Sequence, residues 1–148
     1  MAQMNDPYDL NRFVAAQADM FDDVLAELRA GQKRSHWIWF IFPQMKGLGR
    51  SPQAQHFGIG SLAEARAYVN HLVLGPRLAE CTRLVNQVEG RSIHEIFGTP
   101  DDLKFRSSMT LFSRAAGTDP IFAAVLKKYF NREPDDLTLE LLRKSGGQ

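Results

Sequence analysis

The sequence predicts an all-α fold, a single compact domain of about seven or eight helices, on three observations. Capping residues stand directly ahead of apolar stripes at Ser61, Thr99 and Asp119. The apolar residues behind those caps recur three and four positions apart, which gathers them on one side of a helix. Alternation of the strand kind never runs beyond a few residues, except over residues 36–42.

Taken in order, Leu10, Phe13 and Val14 have helical spacing after the start signal Asp6-Pro7, giving a first helix over 9–17. Phe21, Val24, Leu25 and Leu28 share a face of a second over 19–30. Asp22 and Asp23 suit its positive end and Gly31 its C-terminal cap. One bent helix would satisfy the same residues. Ser51 is a natural N-cap with Pro52 placed for a first turn. Ser61 and Glu64 form a capping box ahead of Leu62, Ala65, Val69 and Leu72. Gly75-Pro76 should stop that helix and start the next, whose buried stripe is Leu78, Cys81, Leu84, Val85 and Val88. Thr99-Pro100-Asp101-Asp102 reads as a capping hydroxyl, a first-turn proline and two acids, leading into Phe105, Met109, Phe112 and Ala116. Asp119-Pro120 repeats the device for 121–130, and a last helix covers 136–143, its four leucines mixed in phase. Phe13, Leu25, Val69, Leu78, Leu84, Met109, Phe112, Val125 and Tyr129 are the expected core.

The 148 residues suit one domain, set at 6–144 with 1–5 and 145–148 as flexible termini. Hydrophobic residues at 44% and charged residues at 24% are globular values. A net charge of +1 argues against a strong grip on nucleic acid or an anionic membrane. No apolar run is long enough to span a bilayer, and the polar start, Met1 to Tyr8, lacks a secretory signal. The lone Cys81 has no internal disulfide partner, which fits a reducing, cytoplasmic setting and a buried thiol. His36, His56, His71 and His94 lack paired ligand spacing, so no metal site is expected, and no cofactor motif is present.

The stretch Ser35 to Ser51, SHWIWFIFPQMKGLGRS, is the best functional lead. Trp37, Trp39, Phe40 and Phe42 make either the centre of the core or the wall of a pocket for a flat ligand. His36 and Gln44 lie at its edges. Lys46, Gly47, Gly49, Arg50 and Ser51 then combine backbone freedom, a helix start and positive charge, which is the physics of a phosphate or carboxylate site. A loop and cap with solvated charges fits the same residues. The spacing is neither that of a P-loop nor that of a Rossmann turn. On the helix after Thr99, Asp101, Lys104 and Ser108 share a face with Ser107 beside Lys104. A solvated face is the plain reading there. Asp102, Lys104 and Ser107 are candidate ligand contacts, and Ser-Lys catalysis is the outside alternative.

These motifs resemble an uncharacterised family, the domain of unknown function eighteen-ten. The resemblance rests on His36-Trp37-x-Trp39-Phe40-x-Phe42-Pro43-Gln44 with Gly47-Leu48-Gly49 and Ser51. Asp9-Leu10-x-Arg12-Phe13 with Ala16-Gln17, Leu74-Gly75-Pro76-Arg77-Leu78, Asp101-Asp102-x-Lys104 and Ser107 to Phe112 also match. It runs from about Asp6 to Leu142. Leu72-Val73 departs from it, because the family usually has a proline after the histidine at His71. The resemblance implies a small helical domain and no established activity. Such proteins are often labelled calpastatins, a label at odds with this globular, aromatic-rich composition, since calpastatins are disordered proline-rich repeats.

The sequence therefore supports a site for a phosphorylated or nucleotide-like small molecule, with hydrolytic or glycosidic chemistry as its reaction class if it is an enzyme. The aromatics would stack a base, the glycine loop would hold a phosphate, and Arg77 joins the polar residues named above. The alternatives are a non-enzymatic interaction domain using the Trp-rich patch and a purely structural core. Oligomeric state is left open. Any site is expected where the Ser35–Ser51 stretch faces the helix that begins at Thr99.

Overall fold

A computed structural model of the chain describes residues 6–116 and 118–145. Of the expected flexible termini, 1–5 and 145–148, residues 1–5 and 146–148 lie outside them. Ser145 is inside and closes the last helix, its hydroxyl donating to Leu142 O at 3.0 Å. The described residues form ten helices and no strand. That exceeds the expected number because three are short: α3 (Ile38–Ile41), α4 (Pro52–His56) and α7 (Ile93–Phe97).

The first two helices, α1 (Asn11–Ala18) and α2 (Phe21–Arg29), are separate. The Asp6 carboxylate accepts the Leu10 and Asn11 N–H groups at 2.8 and 3.0 Å, so it caps α1 from outside. At the end of α2, the N–H of Gly31 reaches Leu28 O and that of Gln32 reaches Glu27 O. This is the Schellman pattern that a glycine at φ 73° permits. Residues 36–42 are not a strand: one turn of helix buries Ile38 and Ile41, flanked by buried Trp37 and Phe42.

The hydroxyl of Ser51 accepts the Ala54 N–H and starts α4. That of Ser61 accepts the Glu64 N–H and starts α5 (Leu62–Asn70). The box is not closed at Ser61, because Glu64 turns to the Gly60 N–H and to Arg12 instead. Next, α6 (Leu74–Gln87) begins ahead of Gly75-Pro76 rather than after it. The ring Nδ1 of His71 caps it, accepting the N–H groups of Val73 and Leu74. Ser92 and Glu95 form a closed capping box on α7.

Thr99 does not cap α8 (Asp101–Ala115); Pro100 holds that position. The hydroxyl lies 2.9 Å from His94 Nδ1, a partner supplied by α7 that local pattern could not reveal. Asp119 accepts the Ile121 N–H ahead of α9 (Ile121–Phe130), and Asp135 caps α10 (Asp136–Lys144).

Helix α8 is the centre, packing against α3, α5, α7, α9 and α10, while α6 packs against α2, α5 and α9. Phe13, Leu78, Met109, Phe112 and Val125 are buried as expected. Leu25, Val69, Leu84 and Tyr129 are half-buried and pack against that core from its edge. Cys81 is buried in α6, and its thiol is pushed up to about 12 by burial and the Glu80 charge against the pull of Arg77. That keeps it protonated and inert near neutral pH.

Candidate functional site

The aromatic stretch divides its two tryptophans. Trp37 has 0% of its surface exposed and belongs to the core. Its indole N–H donates to Glu27 Oε1 at 2.9 Å. The same carboxylate accepts the N–H groups of Arg34 and Ser35 and the Ser35 hydroxyl, so one acid on α2 holds the whole lead-in to α3. Burial pushes the Glu27 carboxyl up, but the hydrogen bonds from Ser35, Arg34 and Trp37 outweigh it and hold it at about 2. Trp37 therefore cannot stack a ligand. Nor does the stretch form an exposed interaction patch, because Trp37 and Phe42 are buried and Trp39 and Phe40 half-buried.

Trp39 faces the other way. Its ring carries the Lys104 ammonium 5.0 Å from the centroid, a cation–π contact joining α3 to α8. Its indole N–H is buried with no hydrogen-bond partner among the described residues. Trp39, Gln44, Ala54, Phe57 and Gly58 line a crevice of about 10 Å³ beside it.

Gln44 also opens on a larger cavity of about 310 Å³ between the 44–49 loop, α8 and α10. Two polar residues of the loop and helix, Gln44 and Lys104, meet there with Ser107 and Gly49. The loop is held by a parallel bridge between Met45 and Ile59, with Lys46 N–H to Ile59 O at 2.8 Å and Ile59 N–H to Gln44 O at 2.9 Å. Gly49 serves packing: a Cβ there would come within 2.7 Å of the Ala54 Cβ on α4. Leu48, Leu103 and Leu137 supply apolar wall, and Leu103 and Leu137 are 56% and 61% exposed at it.

The cavity's other charges are engaged. Asp135 Oδ2 accepts the Thr138 N–H and hydroxyl at 3.0 and 2.6 Å. Arg106 donates to Glu133 O and lies 3.5 Å from the Glu133 carboxylate. The Lys104 ammonium has a long contact, 3.8 Å, with Asp101, whose carboxylate is held more closely by Lys33 at 2.8 Å. Ser107 donates to Leu103 O at 3.2 Å, and no hydrogen bond joins it to Lys104. The Ser-Lys pairing is thus absent among the described residues.

The remaining sequence candidates lie elsewhere. His36, Lys46, Arg50 and Ser51 are exposed and outside this cavity, Ser51 being spent on the α4 cap. Gly47, at φ 106°, lines a neighbouring cavity of about 260 Å³ with Leu48, Leu137 and Lys144. Arg77 stacks 4.8 Å over Phe21 and donates to Gln17, and it does not line this cavity. Asp102 turns to His94 and Thr99. Leu137 was the visible trace of the α10 wall, because the leucines of 137–142 cannot all share one face. Asp135 and Arg106 gave no such signal. No group of His, Cys, Asp and Glu suited to a metal occurs among the described residues. No helix among them is long and apolar enough to cross a membrane.

Residues 7–142 match the model of a family described as "Protein of unknown function (DUF1810)". A solved structure, that of the conserved hypothetical protein Rv1873 from Mycobacterium tuberculosis, is 60% identical in sequence and superposes with a TM-score of 0.92. The match covers 93% of this chain and 99% of that one. No curated protein matches the sequence.

Proposed function

The chain belongs to this family of unknown function, and we propose that it binds a small phosphorylated or nucleotide-like anion in the cavity between the 44–49 loop and α8. The observation that carries the reading is Lys104. Its ammonium stands over Trp39 at the cavity wall with only a 3.8 Å contact to a carboxylate that another lysine already satisfies. An incoming anion would gain that charge at little cost. The Gln44 amide and Ser107 hydroxyl add polar contacts beside it, and Leu48, Leu103 and Leu137 offer apolar wall to a base or sugar face. The volume, about 310 Å³, sits at the lower end of small-molecule sites.

The reading is one of binding. Glycoside hydrolysis in its usual form needs two carboxyl groups flanking the scissile bond. The cavity has one, Asp135, already committed to capping α10.

Adenosine monophosphate, ribose 5-phosphate and their unphosphorylated counterparts are the probes, read by titration calorimetry in the parent and in each variant. In the parent, drawing the Lys104 ammonium off Trp39 should also change the tryptophan emission. Lys104→Ala is expected to weaken the phosphorylated probes by roughly tenfold, the worth of about 1.4 kcal/mol. It should leave the thermal midpoint within a few degrees, as loss of a half-buried cation–π contact of roughly 1 kcal/mol implies. Arg50→Ala, outside the cavity, is the control and should bind as the parent does. Absence of binding by every phosphorylated probe, or unchanged affinity in Lys104→Ala, rejects the reading.

A further inference from the structure

A second cavity, also about 310 Å³, is lined by Leu62, Leu139, Leu142, Arg114 and Arg143. It lies where α5 and α10 both pack on α8: Leu62 opens α5, Arg114 comes from the last turn of α8, and the rest are from α10. Leu62 and Leu142 are buried at 2% and 5% exposure and form its floor, and Leu139 is half-buried at its side. Its two charged residues are both arginines, exposed, and neither enters an ion pair among the described residues. The Lys104 cavity differs, because it mixes lysine, arginine and aspartate.

We propose that this α5–α8–α10 cavity is a separate binding site for an amphipathic monoanion, a carboxylate or sulfonate on an apolar body. Leucine side chains offer nothing to a polar body, so the buried part of the ligand must be apolar. The two guanidiniums offer forked donors and a charge of one sign, which selects an anionic head held at the rim. A neutral apolar molecule would gain the floor and forgo the rim. A small dianion without an apolar body would gain only exposed, screened charge.

The probe pair is 8-anilinonaphthalene-1-sulfonate and N-phenyl-1-naphthylamine, the same ring system with and without the anionic group. The folded protein should enhance the emission of the sulfonate and bind it at least roughly tenfold more tightly than the neutral amine. Arg114→Gln with Arg143→Gln should remove most of that preference while leaving the neutral probe within about twofold. Leu139→Asp should weaken both probes, since it puts a like charge and a polar group on the apolar side. Decanoate should displace the sulfonate, and decanol at equal concentration should not. Lys104→Ala should change none of these results. Equal affinity for the two probes, an unaltered preference in the double arginine variant, or loss of the sulfonate in Lys104→Ala each overturns the proposal. The last would place the probe in the other cavity. Because both arginines are exposed, the double variant is expected to keep the parent's thermal midpoint; if it does not, Arg114→Gln and Arg143→Gln are made singly, and each must reduce the preference.

Discussion

At the scale of single residues, Glu27 does more for the fold than its half-exposed position suggests. Its carboxylate receives four hydrogen bonds, from the Arg34 and Ser35 N–H groups, the Ser35 hydroxyl and the Trp37 indole. Of these the indole is the costliest to abandon, because Trp37 is wholly buried and its N–H has no route to water. Glu27→Gln replaces half of the acceptor with an N–H₂ group that faces donors. It should lower stability by roughly 1–3 kcal/mol near neutral pH, in the range for charge-assisted hydrogen bonds. The loss has a definite pH signature. The carboxyl is held at about 2 in the fold against an ordinary 4.5. A depressed carboxyl stabilises the fold fully above its unfolded value and loses that contribution as pH falls through the folded one. The gap between parent and Glu27→Gln should therefore narrow as pH falls below about 4.5. Urea unfolding of both proteins across that interval is the check. A gap independent of pH would assign the loss to shape rather than charge.

At the scale of elements, the helix starts show which signals were legible in the sequence. Ser51 and Ser61 both cap, because each hydroxyl takes the N–H three residues on, an interaction contained in the local pattern, although the return bond that would close the box at Ser61 goes to Gly60 instead. Thr99 was misread because its hydroxyl had a competitor on another helix, His94. The turn of α3 left no period, since four apolar residues fit a helix or strand equally well. The Ser92–Glu95 box was present in the sequence but headed only five residues, too few to show a stripe. The cavity follows the same logic. The density of polar and aromatic residues at 35–51 and 101–108 marked two of the cavity's walls, while Asp135 and Leu137 reached it only through the packing of α10 on α8. Trp37 read equally as core or as pocket wall, because the partner that assigns it to the core, Glu27, lies on a different helix. Gly75 is a case of the right residue with a different reason. It sits inside α6, and a Cβ there would come within 2.1 Å of Val69 O on α5. The glycine permits two helix ends to meet backbone to backbone. Gly75→Ala should cost on the order of 1–3 kcal/mol, the range for overpacking a contact that cannot yield. Thermal unfolding measures it, and a neutral result would show that the α5–α6 junction relaxes freely.

At the scale of the whole molecule, α8 joins two sets of aromatic side chains into one core. Phe105 near its start meets Phe42 at 4.9 Å and Phe97 at 4.7 Å, and through them Trp37 at 6.2 and 6.4 Å. Two turns on, Phe112 meets Tyr68 at 5.3 Å and Phe122 at 5.9 Å, and Tyr68 meets Phe13 at 5.0 Å. The first set ties α3 and α7 to α8, and the second ties α1, α5 and α9 to the centre. A rigid helix carrying both should make their melting inseparable, because neither set can lose α8 and remain packed. Phe112→Ala tests this directly. Phe112 is fully buried, so the substitution should cost on the order of 3–5 kcal/mol. Both tryptophans lie in the stretch beside the first set, remote from the substituted ring along α8. If the molecule is one cooperative unit, tryptophan emission and far-ultraviolet circular dichroism should report the same lowered urea midpoint for Phe112→Ala. A midpoint from tryptophan emission that stays at the parent's value while the helical signal falls would show two halves that melt separately. A loss below ~1 kcal/mol would show that Phe112 is not packed as described, since a buried aromatic cannot be deleted so cheaply.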